Sequence, residues 1–231
     1  LRNTDHFAGK EVVITEKMDG ENTTLYADFM HARSLDSKDH ASRHYVKMLH
    51  GGIRYLIPAG YRLCGENVFA KHSIAYSALP GYFMLFSVWN ERNVCLSWDE
   101  TEEWAARLGV PLVPVLYRGI WSEAAAKACY TKQSRCGGEQ EGYVVRLASA
   151  FAYDDFKRSV AKFVTPKSCA NRRALAEQAG RAEQAGRCRA VRESGKVGDK
   201  EQLAVTKRYN YFIRSLRRDC HVIRERCNKK G

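Results

Sequence analysis

The chain has no apolar run long enough to cross a bilayer, and no apolar N-terminal segment of the signal-peptide kind. A membrane-embedded or secreted protein is therefore not the expected reading. Its eight cysteines, Cys64, Cys95, Cys129, Cys136, Cys169, Cys188, Cys220 and Cys227, include no C-x-x-C pair. That removes the usual nucleus of a zinc site and fits reduced thiols in an intracellular protein. Cys220, His221 and Cys227 stand close together, but at a spacing that matches no common zinc finger. Acidic residues are scarce in the last third: residues 165–231 hold 18 of the 38 Lys and Arg and only 7 of the 26 Asp and Glu. The tail thus carries +11 of the +12 net charge, and the body +1. A nearly neutral body with a basic tail points to a polyanionic partner. Nucleic acid is favoured over an anionic membrane because no lipid-anchor or amphipathic membrane signal accompanies the charge. The chain begins at Leu1 rather than Met, so a further N-terminal piece is expected.

A regular strand-helix-strand alternation is also lacking, and an α+β fold is expected instead. The segments 12–15, 23–27, 61–64, 83–89, 142–147 and 160–164 are short runs rich in β-branched and aromatic residues, bounded by Gly, Pro or polar clusters. They read as strands of antiparallel or mixed sheets. Helices are predicted between them, at 41–49, 122–130 and after Ser97. Ser97 and Glu100 have capping-box spacing, and Trp104 and Leu108 give an apolar stripe that stops at Gly109 before Pro111. Composition changes past Pro166, which divides the chain into residues 1–166 and a basic, mainly helical region 167–231. Within that region AEQAGRAEQAGR, residues 176–187, repeats a six-residue unit that matches no solenoid period. From 201 to 226 apolar residues recur at roughly helical spacing among arginines, as in amphipathic helices that pack on something.

The segment EVVITEKMDGENTTLY, residues 11–26, sets Lys17 between an apolar run and the Asp19-Gly20 turn. A lysine amine attacks phosphorus only when deprotonated, a form that is scarce at neutral pH for an ordinary pKa of about 10.4. Burial, nearby cations and a bound metal all favour the free amine, and a glycine turn lets a phosphate approach the backbone. Alone, K-x-D-G is also a common hairpin corner.

Five further segments follow in order. EKMDGEN at 16–22 resembles the nucleotidyl-acceptor motif of the covalent nucleotidyltransferases, which comprise ATP-dependent DNA and RNA ligases and mRNA capping enzymes. HARS at 31–34 resembles their second element, an arginine after a strand, and LCGEN at 63–67 their Gly-Glu element. YFMLFSVWN at 82–90 is similar to the strand bearing a base-stacking aromatic, EGYVVR at 141–146 to the Glu-Gly strand, and VAKFV at 160–164 to the final lysine strand. Asn22 and the form EGYVVR resemble the nick-sealing RNA ligases most. The tail lacks the strand pattern of the oligonucleotide-binding barrel that follows the catalytic domain in DNA ligases and capping enzymes.

The resemblance implies a ligase-type nucleotidyltransferase domain of antiparallel or mixed sheets flanked by helices, followed by a small basic helical domain. It implies that Lys17 attacks the α-phosphate of ATP and holds AMP, with Lys162 neutralising charge in the transition state. It places Glu16 near adenine, Arg33 and Glu66 on ribose and phosphate, and Phe86 on the base. It has Asn22 order the α-phosphate, and Glu141 hold Mg2+ or Mn2+ or orient the lysine. The expected activity joins RNA 3′-hydroxyl and 5′-phosphate ends, nicked or broken, in an intracellular, reducing compartment, by a monomer with no membrane partner. Arg214, Arg217 and Arg218 are expected to grip the polynucleotide. DNA is the alternative strand, and a DNA ligase, a capping-type enzyme or an RNA-binding protein with a decayed ligase core are the alternative identities. Two positions depart from the family pattern. Val160 stands where a second lysine is common, leaving Lys157, Arg158 or Lys167 as sources of that cation, and Ser87 rather than an acid follows Phe86.

Overall fold

A computed structural model describes residues 4–32 and 40–165. In chain order the elements are β1 (Glu11–Glu16), β2 (Glu21–Leu25), β3 (Met30–Ala32), α1 (His44–Ile53), β4 (Arg62–Asn67), β5 (Phe83–Trp89) and β6 (Val94–Cys95). They continue with α2 (Trp98–Leu108), β7 (Val115–Ile120), α3 (Glu123–Ala128), β8 (Gly142–Leu147), β9 (Phe151–Ala152), α4 (Phe156–Ser159) and β10 (Val160–Val164). They form a four-stranded sheet in the order β10-β8-β1-β7 and a six-stranded sheet in the order β3-β2-β4-β5-β6-β9. β1 pairs antiparallel with β7 and β8, and the ladders of the second sheet are likewise antiparallel. The fold is α+β, as the mixed pattern indicated. Residues 33–39 and 166–231, and with them Arg33, Arg214, Arg217, Arg218 and the six-residue repeat, lie outside the described residues.

The two strands with the strongest apolar runs, β1 and β5, both lie in the interior of their sheets. Val12 to Ile14 are fully buried in β1, and six of the seven residues of β5 are buried. A strand covered on both faces has no solvent side on which to alternate. Three apolar clusters hold the layers. One joins Val12, Ile14, Tyr143, Val145 and Phe163 to Ala126 and Cys129 of the α3 region. A second packs α1 and α2 on Leu25, Leu63, Leu85 and Val88. The third brings Val13 and Ala148, beside the four-stranded sheet, against Val68 and Met84 on the six-stranded side, with Met18 and Trp98.

Helix α2 begins and ends as its sequence specifies. Ser97 Oγ accepts from the Glu100 amide, Glu100 Oε2 accepts from the Ser97 amide at 2.9 Å, and Gly109 closes the helix at φ 65°. The strands not anticipated are short or poorly patterned. β6 and β9 have two residues each, and β7, an edge strand, runs from Val115 between Pro114 and an internal Gly119.

Candidate active site

The chain leaves the four-stranded sheet at Glu16 and enters the six-stranded sheet at Glu21, so residues 17–20 are where it crosses between sheets. Both ends of the crossing are hydrogen-bonded. The Lys17 amide donates to Gly142 O at 3.0 Å, extending the β1–β8 ladder, and the Gly20 amide donates to Glu66 Oε1 at 3.2 Å. Met18 is buried between the sheets. Glycine is required at 20: a Cβ there would lie 2.5 Å from Asn67 O and 2.9 Å from Val68 Cγ1.

Alternation sorts the side chains. Glu16 stands opposite Tyr143 and Ile14 opposite Val145 in the β1–β8 ladder, and the Tyr143 ring stacks on Phe163 at 5.1 Å. Directly opposed residues share a face of a sheet. Glu16, Ile14, Tyr143 and Phe163 therefore lie on one face, and Lys17 follows just past the end of β1. Lys17 Nζ donates to Glu141 Oε2 at 2.6 Å and to Met18 O at 3.2 Å. The lysine side chain is 14% exposed and the glutamate side chain 0%. A solvent-reachable amine is thus paired with a carboxylate that has lost its water.

In the second sheet Asn22 of β2 stands directly opposite Glu66 of β4. Phe86 is the partly exposed residue of an otherwise buried strand, and it sits where the β4–β5 register slips: Cys64 faces Ser87 and Gly65 faces Leu85. Such a bulge turns the extra side chain out of the regular alternation. Phe86 packs on both the first and the third apolar clusters.

Several supporting residues carried no signal in the sequence. The Asp19 carboxylate accepts from the Ser73 amide at 2.8 Å, the Ser73 hydroxyl at 2.6 Å and the Ile74 amide at 3.0 Å, while the Asp19 amide donates to the Tyr76 hydroxyl at 2.7 Å. The turn is thereby tied to the segment 73–78. That segment is tied in turn to the loop preceding Glu141, because Ser77 and Ala78 donate their amides to Cys136 O. Gly137 and Gly138, both at positive φ, let the two stretches touch, since a Cβ on either would overlap Ser77 or the Ala75 carbonyl. The contacts span about 55 to 60 residues of sequence, which local spacing cannot reveal.

Two carboxyls respond oppositely to burial. Burial pushes the Asp19 carboxyl up, but the bonds from Ser73 and Ile74 and the Lys17 charge outweigh it and leave it below its ordinary value. Its stabilising bonds are therefore intact at neutral pH and are lost as pH falls through the depressed folded value. Asp19→Asn, which places an amide donor among donors, is expected to cost about 2 kcal/mol at pH 7. The difference from the parent should shrink below pH 4 in urea titrations.

Glu16 is the reverse case. Burial raises its carboxyl, only partly offset by Ser134 and by Arg135, whose amide donates to Oε2 at 2.9 Å. Oε1 is buried with no hydrogen-bond partner among the described residues. Folding favours the protonated form here, so this group's contribution is full below the ordinary carboxylate value and is lost as pH rises through the raised folded value. Glu16→Gln is expected to raise the melting temperature at pH 7 and to leave it unchanged at pH 4.

Arg146, of the EGYVVR segment, is buried and ties the sheets together by donating to Leu96 O at 2.6 Å and Phe86 O at 3.4 Å. Of the candidate second cations, Lys157 and Arg158 lie on α4 rather than β10, and Arg158 pairs with Asp155 at 2.6 Å. Lys167 lies outside the described residues. A cavity of about 510 Å³ lined by His6, Lys10, Phe151, Asp155 and Arg158 contains none of the motif side chains, so cavity volume does not locate this site. No group of three or more His, Cys, Asp or Glu side chains arranged for a metal occurs among the described residues.

A family model described as RNA ligase matches residues 10–164. No curated protein matches the sequence. Among solved structures, a mutant of a Naegleria gruberi RNA ligase with ATP and Mn aligns with a TM-score of 0.52 at 18% identity, over 71% of this chain and 52% of that one. The Naegleria gruberi RNA ligase with PPi aligns with a TM-score of 0.49 at 19% identity, over 63% and 48%. This chain spans about half the length of these solved relatives, and at such identity the first likeness speaks for the fold alone.

Proposed function

The chain belongs to the RNA ligase family, and from this premise we propose that it is an ATP-dependent RNA ligase working through a lysyl-adenylate on Lys17. The observation that carries the reading is the 2.6 Å contact between Lys17 Nζ and the fully buried Glu141 carboxylate, at the point where the chain crosses between sheets. An amine held by a carboxylate at a glycine turn has a fixed direction of approach and a hydrogen-bond acceptor beside it. In the proposed first step the Lys17 nitrogen bonds to the α-phosphorus of ATP, the bond to the bridging oxygen breaks, pyrophosphate leaves and the amine gives up a proton. AMP then passes to an RNA 5′-phosphate, and a 3′-hydroxyl displaces it.

The other motif residues fit the nucleotide by chemistry. Glu66, opposite Asn22, offers oxygens for ribose hydroxyls, and Phe86 offers a ring face for the base. Lys162, half-buried on β10 of the four-stranded sheet, supplies positive charge where the α-phosphate gains negative charge. Magnesium or manganese bound through nucleotide phosphates and water needs only one or two protein carboxylates, so the absence of a larger cluster among the described residues is compatible with it. Glu141 is the residue that would hold the ion, which would neutralise and align the phosphates. The basic tail, with Arg214, Arg217 and Arg218, belongs to the reading as the part that holds RNA by its charge.

The test is direct. Full-length protein incubated with ATP labelled at the α-phosphate and with Mg2+ or Mn2+ should gain acid-labile, alkali-stable label, and should pass it to 5′-phosphorylated RNA ends in preference to DNA ends. Protein that gains no such label is not a ligase of this mechanism.

A further inference from the structure

Three aromatic rings from separate segments meet on the surface next to the Lys17 turn. Tyr45, in the first turn of α1, lies parallel to Phe69, just past β4, with ring centroids 5.9 Å apart. Tyr82, just before β5, meets both rings edge-on at 5.2 Å. Phe69 is 44% exposed and Tyr82 43%. Isolated exposed aromatics need no explanation, but three in mutual contact form a patch.

The patch is held firmly and is close to the site. The Val68 amide donates to Tyr82 O at 2.9 Å, Asn67 Nδ2 donates to Ser42 O at 3.0 Å, and the Phe69 amide donates to Asn67 Oδ1 at 3.2 Å. Phe69 follows Glu66 by three residues, and both Asn67 and Val68 abut Gly20. The segments that carry the rings, residues 42–48, 68–72 and 81–82, contain five Arg, Lys and His side chains and no Asp or Glu, although Arg43 among them is paired with Glu21 of β2 at 2.6 Å. Lys47, Lys71 and His72 are exposed.

We infer that Tyr45, Phe69 and Tyr82 form a stacking platform for an unpaired base at the RNA end being joined. An aromatic face accepts any base, the neighbouring cations suit the phosphates on either side, and only a base outside a duplex presents its face to a ring. A second copy of the chain would bring the same cations against themselves, and an acidic protein would have no use for the ring faces. The inference rests on the ligase reading and refines its substrate: ends with a displaced or single-stranded terminal nucleotide are preferred over fully paired nicks.

The test uses the full chain and short RNAs that carry 2-aminopurine either as an unpaired terminal nucleotide or paired within a duplex at a nick. Stacking on the platform should quench the unpaired probe and leave the paired one bright. Phe69→Leu, which keeps apolar bulk but removes the ring, should weaken binding of the unpaired probe on the order of tenfold, and Phe69→Tyr should restore it. Labelling of Lys17 by ATP should be the same in all three proteins. Equal quenching by Phe69→Leu and parent overturns the platform, as does equal quenching of the two probes. A dimer in sedimentation that Phe69→Leu dissociates overturns it too. A parent that quenches the unpaired probe yet takes no label from ATP keeps the platform and removes the ligase reading, so the two failures are distinguishable.

Discussion

Lys17→Arg should fold as stably as its parent and take up no label from ATP. The guanidinium can meet the buried Glu141 carboxylate with two parallel bonds and so preserves the ion pair. It does not lose its proton in a protein, however, and offers no nitrogen lone pair for phosphorus. Lys17→Ala should be equally inactive for a different reason, and it should also melt earlier. It takes the ammonium away from a carboxylate that is 0% exposed, a change worth up to about 3 kcal/mol. The Glu141 contact is what couples the nucleophile to stability. Intact-mass measurement after incubation with ATP and metal, alongside thermal unfolding, gives both readouts. Residual adenylylation of either variant would move the nucleophile elsewhere and remove the basis of the proposed mechanism.

The second large effect is expected at Glu141. Glu141→Gln keeps the size and a hydrogen-bond acceptor while discarding the charge that faces Lys17 Nζ at 2.6 Å. Losing one preorganised electrostatic partner of a reacting group typically costs about 10²- to 10³-fold in rate. The initial rate of label uptake per folded molecule should fall by that order, while the melting temperature moves by only a few degrees. A structural glutamate would give the opposite pattern, with an earlier melt and an unchanged rate per folded molecule.

What the sequence disclosed follows a physical division. Strands buried on both faces, such as β1 and β5, announce themselves as apolar runs, and α2 is fixed by a capping box and a glycine within 13 residues of each other. The motif residues Lys17, Asn22, Glu66, Phe86, Glu141 and Lys162 were legible only because six segments stood in family order. Their chemistry could be named from resemblance, but their partners could not. The contacts that hold the turn, from Asp19 to Ser73 and from Lys17 to Glu141, join residues 54 and 124 positions apart. No local periodicity encodes them. Two-residue strands such as β6 and β9 are too short to show alternation, and β7 is masked by its flanking proline and internal glycine.

The crossing of the chain between sheets also bears on how the protein is made. The ladders of the six-stranded sheet between β2 and β5 close loops of modest length, whereas β1 must find β7 and β8 more than 100 residues further along. Long loops close late, because their entropy must be given up before any contact repays it. A chain emerging from the ribosome therefore presents Lys17 before Glu141 has been synthesised to meet it. Lys17 acquires its surroundings only when the rest of the domain has been delivered.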